Sequence, residues 1–533
     1  MRIVRRSLVL ALAVLTVAGC SLFSGDKEDR NALRVLAGSE LADLQPILDD
    51  LQRATGVKVK LSFTGTLDGV EQVYSGRAAA SHDATWFSSN RYLQLHGGVD
   101  RQIGTQTKIM SSPVVLGLRA PVARSLGWDS KRPTWREVAD AALARTFSYG
   151  MTNPSASNSG FSALVALASA LAGSGAALTE AQVTQVSVQL EEFFGAQALT
   201  AGSSGWLADA FERKVREGDP IGGLINYESV LLSLNARGTL PEPLTIVYPT
   251  DGVVTADYPL TLLSNASAEA RGRYDTAVEY LRRPEVQRQI MDQTHRRPVV
   301  PQVAADGRFA GGTLVELPFP VKLEVADALI HAFNEVARRP PATIYVLDLS
   351  GSMRGERIDA LKTAMLGLSG ADSSLAGRFS RFHGREQVTL VTFSSRVAEP
   401  LVFTVPPIDP QPVFEQIRSV VQAWQVGGDT ALYDALAVAY ELAGQQVRDT
   451  PERVTTIVLL SDGEQTAGRD LGQFRDFYRG LSAATRGVPV FPVLFGESAE
   501  GEMAEVAQLT GGRTFDGRSD SLATAFKEIR GYQ

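Results

Sequence analysis

Cysteine and histidine are both scarce in this sequence, and their scarcity limits the chemistry that it can support. The 533 residues include one cysteine, Cys20, so neither an intramolecular disulfide nor a thiolate metal site can form. The five histidines are scattered and form no metal-binding pattern. Basic residues do not predominate either: the net charge is −7, which argues against binding of nucleic acid, because that function needs a basic face.

Patterns typical of enzymes are also missing. The sequence has no G-x-S-x-G nucleophile motif, no P-loop, no HExxH pair and no grouping of histidine with carboxylates. We therefore expect a binding protein and not an enzyme. A chain of this length is too long for one hydrophobic core, so two or three domains are expected.

The first twenty residues predict an export signal. Three arginines precede an apolar run from Leu8 to Val17, which is too short to cross a bilayer comfortably. The next residues, Val17-Ala18-Gly19-Cys20, resemble a bacterial lipobox. This resemblance implies that Cys20 is acylated and anchors the protein to the extracytoplasmic face of a bacterial cell membrane. An ordinary signal peptide or an uncleaved anchor with an incidental cysteine is the alternative, and residues 21–32 predict a flexible polar tether.

Residues 33–318 alternate short apolar strands with helical stretches, which predicts parallel βαβ units. Small polar residues follow several of these strands. The carboxyl ends of strands form the ligand crevice in open α/β sheets, and free N–H groups at a helix start favour an anion or a polar ligand. The same residue types also cap helices without any ligand, which is the alternative at each position. The candidate ligand-binding residues are Ser39, Thr64, Ser88, Ser89, Ser157, Asn158 and Ser159, with Tyr227 a weaker addition.

Several stretches of this region resemble one family of proteins. The segments LRVLAGSEL, DATWFSSNRYLQL, MSSPVVLGLR and MTNPSASNSGFSAL are similar to segments of the type II periplasmic solute-binding proteins of ABC transporters. The similarity is greatest to the branch that binds oxyanions such as molybdate, sulfate or phosphate. The resemblance implies a two-lobed fold, with the chain crossing between lobes at residues 110–119 and returning at 258–263. It also implies a cleft for a small polar or anionic ligand.

Residues 319–340 predict a connector between two domains. One amphipathic helix lies between prolines, with Val321, Val325, Leu329 and Phe333 recurring at four-residue steps. Its apolar face indicates a joint that packs against its surroundings.

Residues 341–533 again alternate strands and helices. Strand patterns occur at 342–347, 388–395, 455–464 and 488–496, with amphipathic helices between them. This order predicts a doubly wound, Rossmann-like sheet with helices on both faces.

Three loops at one edge of that predicted sheet carry oxygen-bearing side chains. The first is Asp348-x-Ser350-x-Ser352, the second contains Thr430 and the third contains Asp462. Alternate residues of an extended loop point the same way, so a carboxylate and two hydroxyls can converge, and hard dications prefer oxygen ligands. The arrangement resembles the metal-ion-dependent adhesion site of von Willebrand factor A (VWA) domains. That resemblance implies direct coordination by the two serines and often the threonine, with both aspartates acting wholly or partly through water.

These observations together predict a membrane-anchored, extracytoplasmic protein for adhesion or assembly. In the family that the C-terminal part resembles, Mg²⁺ (or Mn²⁺ or Ca²⁺) takes one more oxygen ligand from an Asp or Glu of a partner protein. The alternative is an ABC-transport receptor for an oxyanion-like solute with an accessory VWA domain.

Overall fold

The computed structural model of the protein describes residues 32–309, 314–462, 464–496, 500–518 and 522–533. The predicted signal segment, the predicted lipid-attachment residue Cys20 and the tether up to residue 31 lie outside the described residues. Within the described part, none of the helices has the length and apolar character needed to cross a membrane.

The described residues contain strands in both the N-terminal and the C-terminal regions. The strands are β1 Leu33–Gly38, β2 Val59–Thr64, β3 Ala84–Trp86, β4 Ile103–Lys108, β5 Ser112–Leu118, β6 Tyr149–Thr152, β7 Gln197–Ala201, β8 Gly223–Tyr227, β9 Thr245–Val247, β10 Thr255–Ala256, β11 Pro259–Leu263, β12 Pro341–Asp348, β13 Gln387–Phe393, β14 Leu401–Thr404, β15 Val454–Ser461, β16 Val490–Leu494 and β17 Phe515–Asp516.

Helices alternate with these strands along most of the described chain. The α-helices are α1 Gln45–Thr55, α2 Thr66–Tyr74, α3 Arg91–Gln94, α4 Ala120–Leu126, α5 Trp135–Leu143, α6 Asn158–Ala172, α7 Glu180–Phe194, α8 Ser204–Arg216, α9 Glu228–Ala236, α10 Ala268–Leu281, α11 Pro284–Thr294, α12 Leu323–Ala332, α13 Glu356–Leu366, α14 Leu375–Ser380, α15 Gln411–Ala423, α16 Leu432–Asp449, α17 Leu471–Arg479, α18 Ala483–Arg486, α19 Glu500–Thr510 and α20 Leu522–Arg530.

The chain divides into two compact units. The first unit contains, among the described residues, 32–64, 72–112 and 256–309. Its sheet has the strand order β2-β1-β3-β11-β4, in which β1 pairs in parallel with β2 and β3 while β11 runs antiparallel to β3 and β4. The returning antiparallel strand β11 therefore completes a sheet that the chain began before residue 112.

The second unit contains residues 65–71, 113–255 and 310–533. One of its sheets has the order β10-β5-β8-β6-β7, with β9 paired to β5. Strands β8, β6 and β7 are parallel neighbours, whereas β5 runs antiparallel to β8. The division between units at Ser112 and Pro113 falls inside residues 110–119, where the resemblance places the first crossing.

The C-terminal sheet has the order β14-β13-β12-β15-β16-β17, and only the β13–β14 pair is antiparallel among its described pairings. Its central strand β12 is buried at every residue, as its continuous apolar sequence predicts. Ile344 and Val346 pack into one hydrophobic cluster, and Tyr345 and Leu347 pack into another. Because alternate residues of a strand face opposite sides, helices cover both faces, which confirms the predicted doubly wound fold.

The second unit has a hydrophobic cluster that joins residues 113–255 to the C-terminal sheet. Trp206 of α8 lies with its ring centroid 4.9 Å from that of Tyr532, and Phe211 belongs to the same cluster as Phe491 of β16. The guanidinium of Arg213 also donates to the carbonyl of Gly511 at 2.6 Å. The predicted connector contributes α12, which continues as a helical turn to Ala337. No pattern in the sequence predicts this shared core.

A buried ionic cluster lies where the connector enters the C-terminal sheet. Glu386 accepts hydrogen bonds from the guanidiniums of Arg338 and Arg530, and all three side chains are buried. Burial raises the pKa of Glu386, but the two guanidiniums outweigh this effect and the pKa lies below its usual value. Beside it, His383 is buried, and its Nδ1 lies 2.7 Å from Oε1 of Glu335. The two guanidiniums around one carboxylate therefore hold the connector and α20 against the start of β13.

Candidate functional site

The candidate metal site lies at the carboxyl ends of β12 and β15, which are adjacent parallel strands. From β12 the chain builds the sheet outward through β13 and β14, then returns to the other side of β12 with β15. Because of this reversal, the topological switch point lies between β12 and β15. Open α/β sheets hold their ligands at the carboxyl ends of the strands beside such a point. Asp348 ends β12, and Asp462 directly follows β15.

Hydrogen bonds connect four of the site's side chains into a continuous chain. Asp348 accepts from the backbone N–H of Ser350 at 2.8 Å through Oδ1, and from the hydroxyl of Ser461 at 2.6 Å through Oδ2. The hydroxyls of Ser350 and Ser352 lie 2.9 Å apart, and Ser352 donates to Oδ1 of Asp462 at 2.7 Å. The two serines and two aspartates predicted from the sequence are therefore brought together.

The loop containing Thr430 lies against the same strand end. The backbone N–H of Gly351 donates to the carbonyl of Gly428 at 3.0 Å, and that of Gly427 donates to the carbonyl of Leu349 at 2.9 Å. Gly428 has φ of +84°, which favours glycine, and a Cβ there would lie 2.6 Å from the hydroxyl of Ser395. Thr430 is buried two residues beyond this contact, and its backbone N–H donates to the hydroxyl of Thr466 at 2.9 Å.

Two carboxylates in one buried place give the site an excess of negative charge. Burial raises the pKa of Asp348, and the nearby charge of Asp462 raises it further, while donation from Ser461 and Ser350 acts in the opposite direction. Asp462 is buried as well, and the guanidinium of Arg357 donates to its Oδ2. One guanidinium therefore faces two carboxylates. A cation added to this place would relieve the remaining charge.

The chemistry of these side chains fits a hard dication. Within the described ranges, no cluster of three or more His, Cys, Asp and Glu side chains could hold a metal, so a cation in this part of the chain would depend on hydroxyl oxygens as well. The site supplies carboxylate and hydroxyl oxygens and no sulfur or imidazole ligand, which is the ligand set that Mg²⁺, Mn²⁺ and Ca²⁺ prefer.

Four candidate ligand-binding residues lie in the first unit, at one edge of its sheet. Ser39 follows β1, Thr64 ends β2, and Ser88 and Ser89 follow β3, so all four lie at the carboxyl ends of adjacent parallel strands. Ser89 accepts from the backbone N–H of Arg91 at 3.2 Å, which is the local capping role that the alternative interpretation describes.

Glu40 is a residue at this edge that the sequence analysis did not select. Its carboxylate folds back over Gly38, so that a Cβ at Gly38 would lie 2.6 Å from Oε2 of Glu40. Burial raises the pKa of Glu40. This increase is partly opposed by its own backbone N–H, by Arg296 and by the hydroxyl of Ser88. One of the candidate hydroxyls, that of Ser88, therefore already has a hydrogen-bond partner at this edge.

The remaining candidates, Ser157, Asn158 and Ser159, lie in the second unit at the start of α6. The hydroxyl of Ser159 is fully buried and lies 2.7 Å from that of Thr152, 3.1 Å from that of Ser157 and 2.8 Å from that of Ser204. This hydroxyl chain joins the starts of α6 and α8. The Nδ2 of Asn158 donates to the hydroxyl of the weaker candidate Tyr227 at 3.0 Å.

Residues of the C-terminal helix lie against the same loops. The Nδ2 of Asn153 donates to the carbonyl of Arg530 at 3.3 Å, and the ring of Tyr532 approaches Gly202 so closely that a Cβ there would lie 2.6 Å from it. The loops that follow β6 and β7 therefore carry part of the shared core. Ser159 and Asn158 have structural partners in this arrangement.

Comparison with known proteins gives two family matches. Residues 33–293 match a model described as bacterial extracellular solute-binding protein, and residues 343–465 match one described as von Willebrand factor type A domain. The chain joins an extracellular solute-binding domain to a VWA domain. The second match includes all five candidate metal residues, from Asp348 to Asp462. We call residues 341–533 the A domain.

Curated relatives match mainly the A domain. The chain is 30% identical over 132 residues to inter-alpha-trypsin inhibitor heavy chain H4 of Sus scrofa, which is 24% of this chain and 13% of that protein. It is 26% identical over 187 residues to the Bos taurus protein of the same name, covering 33% of this chain and 19% of the relative. The chain thus spans less than a fifth of the length of either relative.

Solved structures resemble the solute-binding part. The periplasmic binding protein AfuA from Actinobacillus pleuropneumoniae has a TM-score of 0.45 at 11% identity, covering 57% of this chain and 98% of that one. The ferric binding protein from Campylobacter jejuni has a TM-score of 0.42 at 13% identity, covering 56% and 96% respectively.

Proposed function

We propose that this protein is an extracytoplasmic binding protein whose A domain uses a divalent cation to bind an acidic residue of a partner protein. The observation that carries the proposal is the hydrogen-bonded chain from Asp348 through Ser350 and Ser352 to Asp462, which gathers oxygen atoms at the switch point of the sheet. Ser352 is exposed, so the gathered oxygens can be reached from solvent.

Each residue of this hydrogen-bonded set has a part in the proposed binding. Ser350 and Ser352 would hold Mg²⁺, Mn²⁺ or Ca²⁺ through their hydroxyls, with Thr430 as a third hydroxyl ligand, while Asp348 and Asp462 balance the charge through water. Bound there, the dication would supply an electrophilic site for one more oxygen ligand. Asp348 keeps its orientation through the backbone N–H of Ser350 and the hydroxyl of Ser461.

Direct titration tests whether the site binds a metal. MnCl₂ or MgCl₂ added to the purified protein should bind at one site by isothermal titration calorimetry. Asp348→Asn should abolish this binding, because the amide keeps the shape of the side chain and removes its charge. Asp359→Asn is the matched control, since Asp359 is an exposed acid in the first turn of α13. Equal binding by the wild type and Asp348→Asn would contradict the proposal.

A second experiment tests the acidic partner. The immobilised protein would be incubated with solubilised cell-envelope protein in MgCl₂ and then eluted with EDTA. The wild type and Asp359→Asn should retain a protein that EDTA releases, whereas Asp348→Asn should not retain it. Neutralisation of single Asp or Glu residues on the released protein should then abolish its binding. Retention that is insensitive to EDTA would refute a metal-dependent contact.

The solute-binding domain supports a second candidate function, that of a transport receptor for a small solute. The family match over residues 33–293 favours it, and the polar residues at the ends of β1, β2 and β3 would contribute to the ligand site. Glu40 lies at the same edge and interacts with the hydroxyl of the candidate residue Ser88. A thermal-shift series with molybdate, sulfate and phosphate, repeated with Glu40→Gln, tests this reading; micromolar binding by the wild type would favour the receptor function.

We further propose attachment to the membrane through an acylated Cys20 and a function without catalysis. The lipobox-like sequence before Cys20 supports the anchor. Two or more acyl chains give stable attachment, whereas one chain is marginal. Metabolic labelling with a clickable palmitate analogue, compared between the wild type and Cys20→Ala, tests the anchor, and incorporation by both would contradict it.

A further inference from the structure

Arg357 is the one cation that the described structure places directly on the candidate metal residues. Its guanidinium donates to Oδ2 of Asp462 and also to the carbonyl of Ser352 at 3.3 Å. The side chain of Asp462 is fully buried, whereas that of Arg357 is 36% exposed. The arginine therefore reaches from the surface of the A domain to a buried carboxylate.

The position of this guanidinium is fixed from several sides. Gly496 follows β16 with φ of +67°, and a Cβ there would lie 3.0 Å from the Cζ of Arg357. Only glycine combines this backbone conformation with so close an approach. Arg357 lies in the first turn of α13. The helix, the Asp462 loop and Gly496 together hold its guanidinium against Asp462.

Both oxygens of Asp462 already accept a hydrogen bond. Oδ1 accepts from the hydroxyl of Ser352 at 2.7 Å, and Oδ2 accepts from Arg357. Each carboxylate oxygen can accept a second hydrogen bond, but water around a dication would have to approach Asp462 beside the bound guanidinium. Asp348 and Asp462 carry two negative charges, and Arg357 already cancels one of them. The arginine and a dication therefore compete for the same carboxylate.

We propose that Arg357 is a built-in competing cation that sets the metal affinity of the A domain. This inference rests on the proposed metal site and adds the residue that tunes it. In the metal-free protein Arg357 stabilises the buried Asp462. It lowers affinity for a dication by direct repulsion and by occupying Oδ2. A low intrinsic affinity would make retention of the cation depend on the additional oxygen ligand that an acidic partner provides.

Calorimetric titration of MnCl₂ into the full protein tests this role. Arg357→Gln keeps a long polar side chain without its charge and should bind Mn²⁺ about tenfold more tightly than the wild type, which corresponds to ~1.4 kcal/mol. Arg357→Lys keeps the charge and should stay within about threefold of the wild type. Arg354→Gln is the matched control, because Arg354 is an exposed arginine three positions earlier, and its affinity should change by less than about twofold.

Thermal denaturation without metal provides an independent readout. Arg357→Gln should melt at a lower temperature than the wild type in EDTA, because Asp462 then remains buried without a counter-ion, and saturating MnCl₂ should remove most of that difference. Arg357→Gln that binds Mn²⁺ no more tightly than the wild type would overturn the inference while leaving the metal site intact. Absence of binding by both proteins would overturn the metal site as well.

Discussion

Tyr532→Ala tests whether residues 113–255 and the A domain form one cooperative unit. The ring of Tyr532 is 5% exposed, with centroid distances of 4.9 Å to Trp206, 5.4 Å to Phe515 and 5.6 Å to Phe491. Its hydroxyl accepts from the guanidinium of Arg513 at 2.6 Å. The side chain thus joins α8 to two strands of the C-terminal sheet.

The expected loss follows from this packing. Truncation of a buried aromatic side chain to alanine costs about 3–5 kcal/mol, because the lost burial is accompanied by a cavity. Native domains have unfolding free energies of about 5–15 kcal/mol, so the substitution removes a large part of the total. Because Tyr532 packs on Trp206, the loss of stability should weaken the junction between residues 113–255 and the A domain. We expect the single unfolding transition of the second unit to become two.

Urea denaturation followed by tryptophan fluorescence and by far-UV circular dichroism measures this change. Coincident curves are expected for the wild type, and separated curves with a lower first midpoint for Tyr532→Ala. Gly202→Ala should act in the same way, because the added Cβ would lie 2.6 Å from the Tyr532 ring. Ile408→Ala is the control, since Ile408 is 84% exposed and its loss should change stability by less than about 0.5 kcal/mol.

A small effect would refute this reasoning. If Tyr532→Ala lowered the unfolding free energy by less than about 1 kcal/mol and the two signals still coincided, the contact seen at Trp206 would not join the two parts energetically. Loss of stability with coincident curves would show that the two parts still unfold together without the Tyr532 side chain.

Three further results are expected. Glu386→Gln should lower the unfolding free energy by about 3–5 kcal/mol in urea, because Arg338 and Arg530 would remain buried without their carboxylate. Burial lowers the pKa of His383, so the unfolded chain is protonated first and stability should decrease as pH falls below about 6.5, by up to ~1.4 kcal/mol per unit from this group; His383→Gln should reduce the slope, and the remainder would come from His82 and His295, whose pKa values burial also lowers. MgCl₂ at one hundred times its dissociation constant should add about 2.7 kcal/mol of stability, or about 5–10 °C in melting temperature, and Asp348→Asn should abolish the increase.

Controls separate these results from general destabilisation. Glu242→Gln removes an exposed ion pair with Arg124 and should cost less than about 1 kcal/mol of unfolding free energy. An equally small loss for Glu386→Gln would contradict the importance of burial. A stability profile that is flat between pH 7 and pH 5 would contradict the neutral buried His383. Equal Mg²⁺-induced stabilisation of the wild type and Asp348→Asn would place the cation elsewhere.

The fold class and the convergence of two aspartates and two serines at one strand end could be predicted from the sequence because both depend on local patterns. The apolar run of β12 and the D-x-S-x-S that follows it lie within about a dozen consecutive residues. Asp462 could be placed because it directly follows another buried parallel strand, and adjacent parallel strands end at the same edge. Arg357 was missed because nothing in a helical segment indicates which way a long flexible side chain will fold.

The shared core could not be predicted because its partners lie far apart in the sequence. Trp206 and Tyr532 each belong to a segment whose sequence pattern predicts the surface of a separate domain. More than three hundred residues lie between them. A hydrophobic face on one helix predicts burial but does not identify the partner. Glu40 was missed for a related reason, since an acid after a strand usually faces water.

The two serine sets show how the same residue type acquires different roles. Around Ser159 the partners are hydroxyls, each of which can donate one hydrogen bond and accept others, so the network of Thr152, Ser157 and Ser204 satisfies itself. Around Ser352 the partners include carboxylates, which only accept when ionised. A hydroxyl network that ends in carboxylates has more acceptors than donors, and a cation corrects that imbalance. This excess of acceptors, which serine content in the sequence cannot reveal, is what distinguishes the end of β12 from the start of α6 and makes it the candidate metal site.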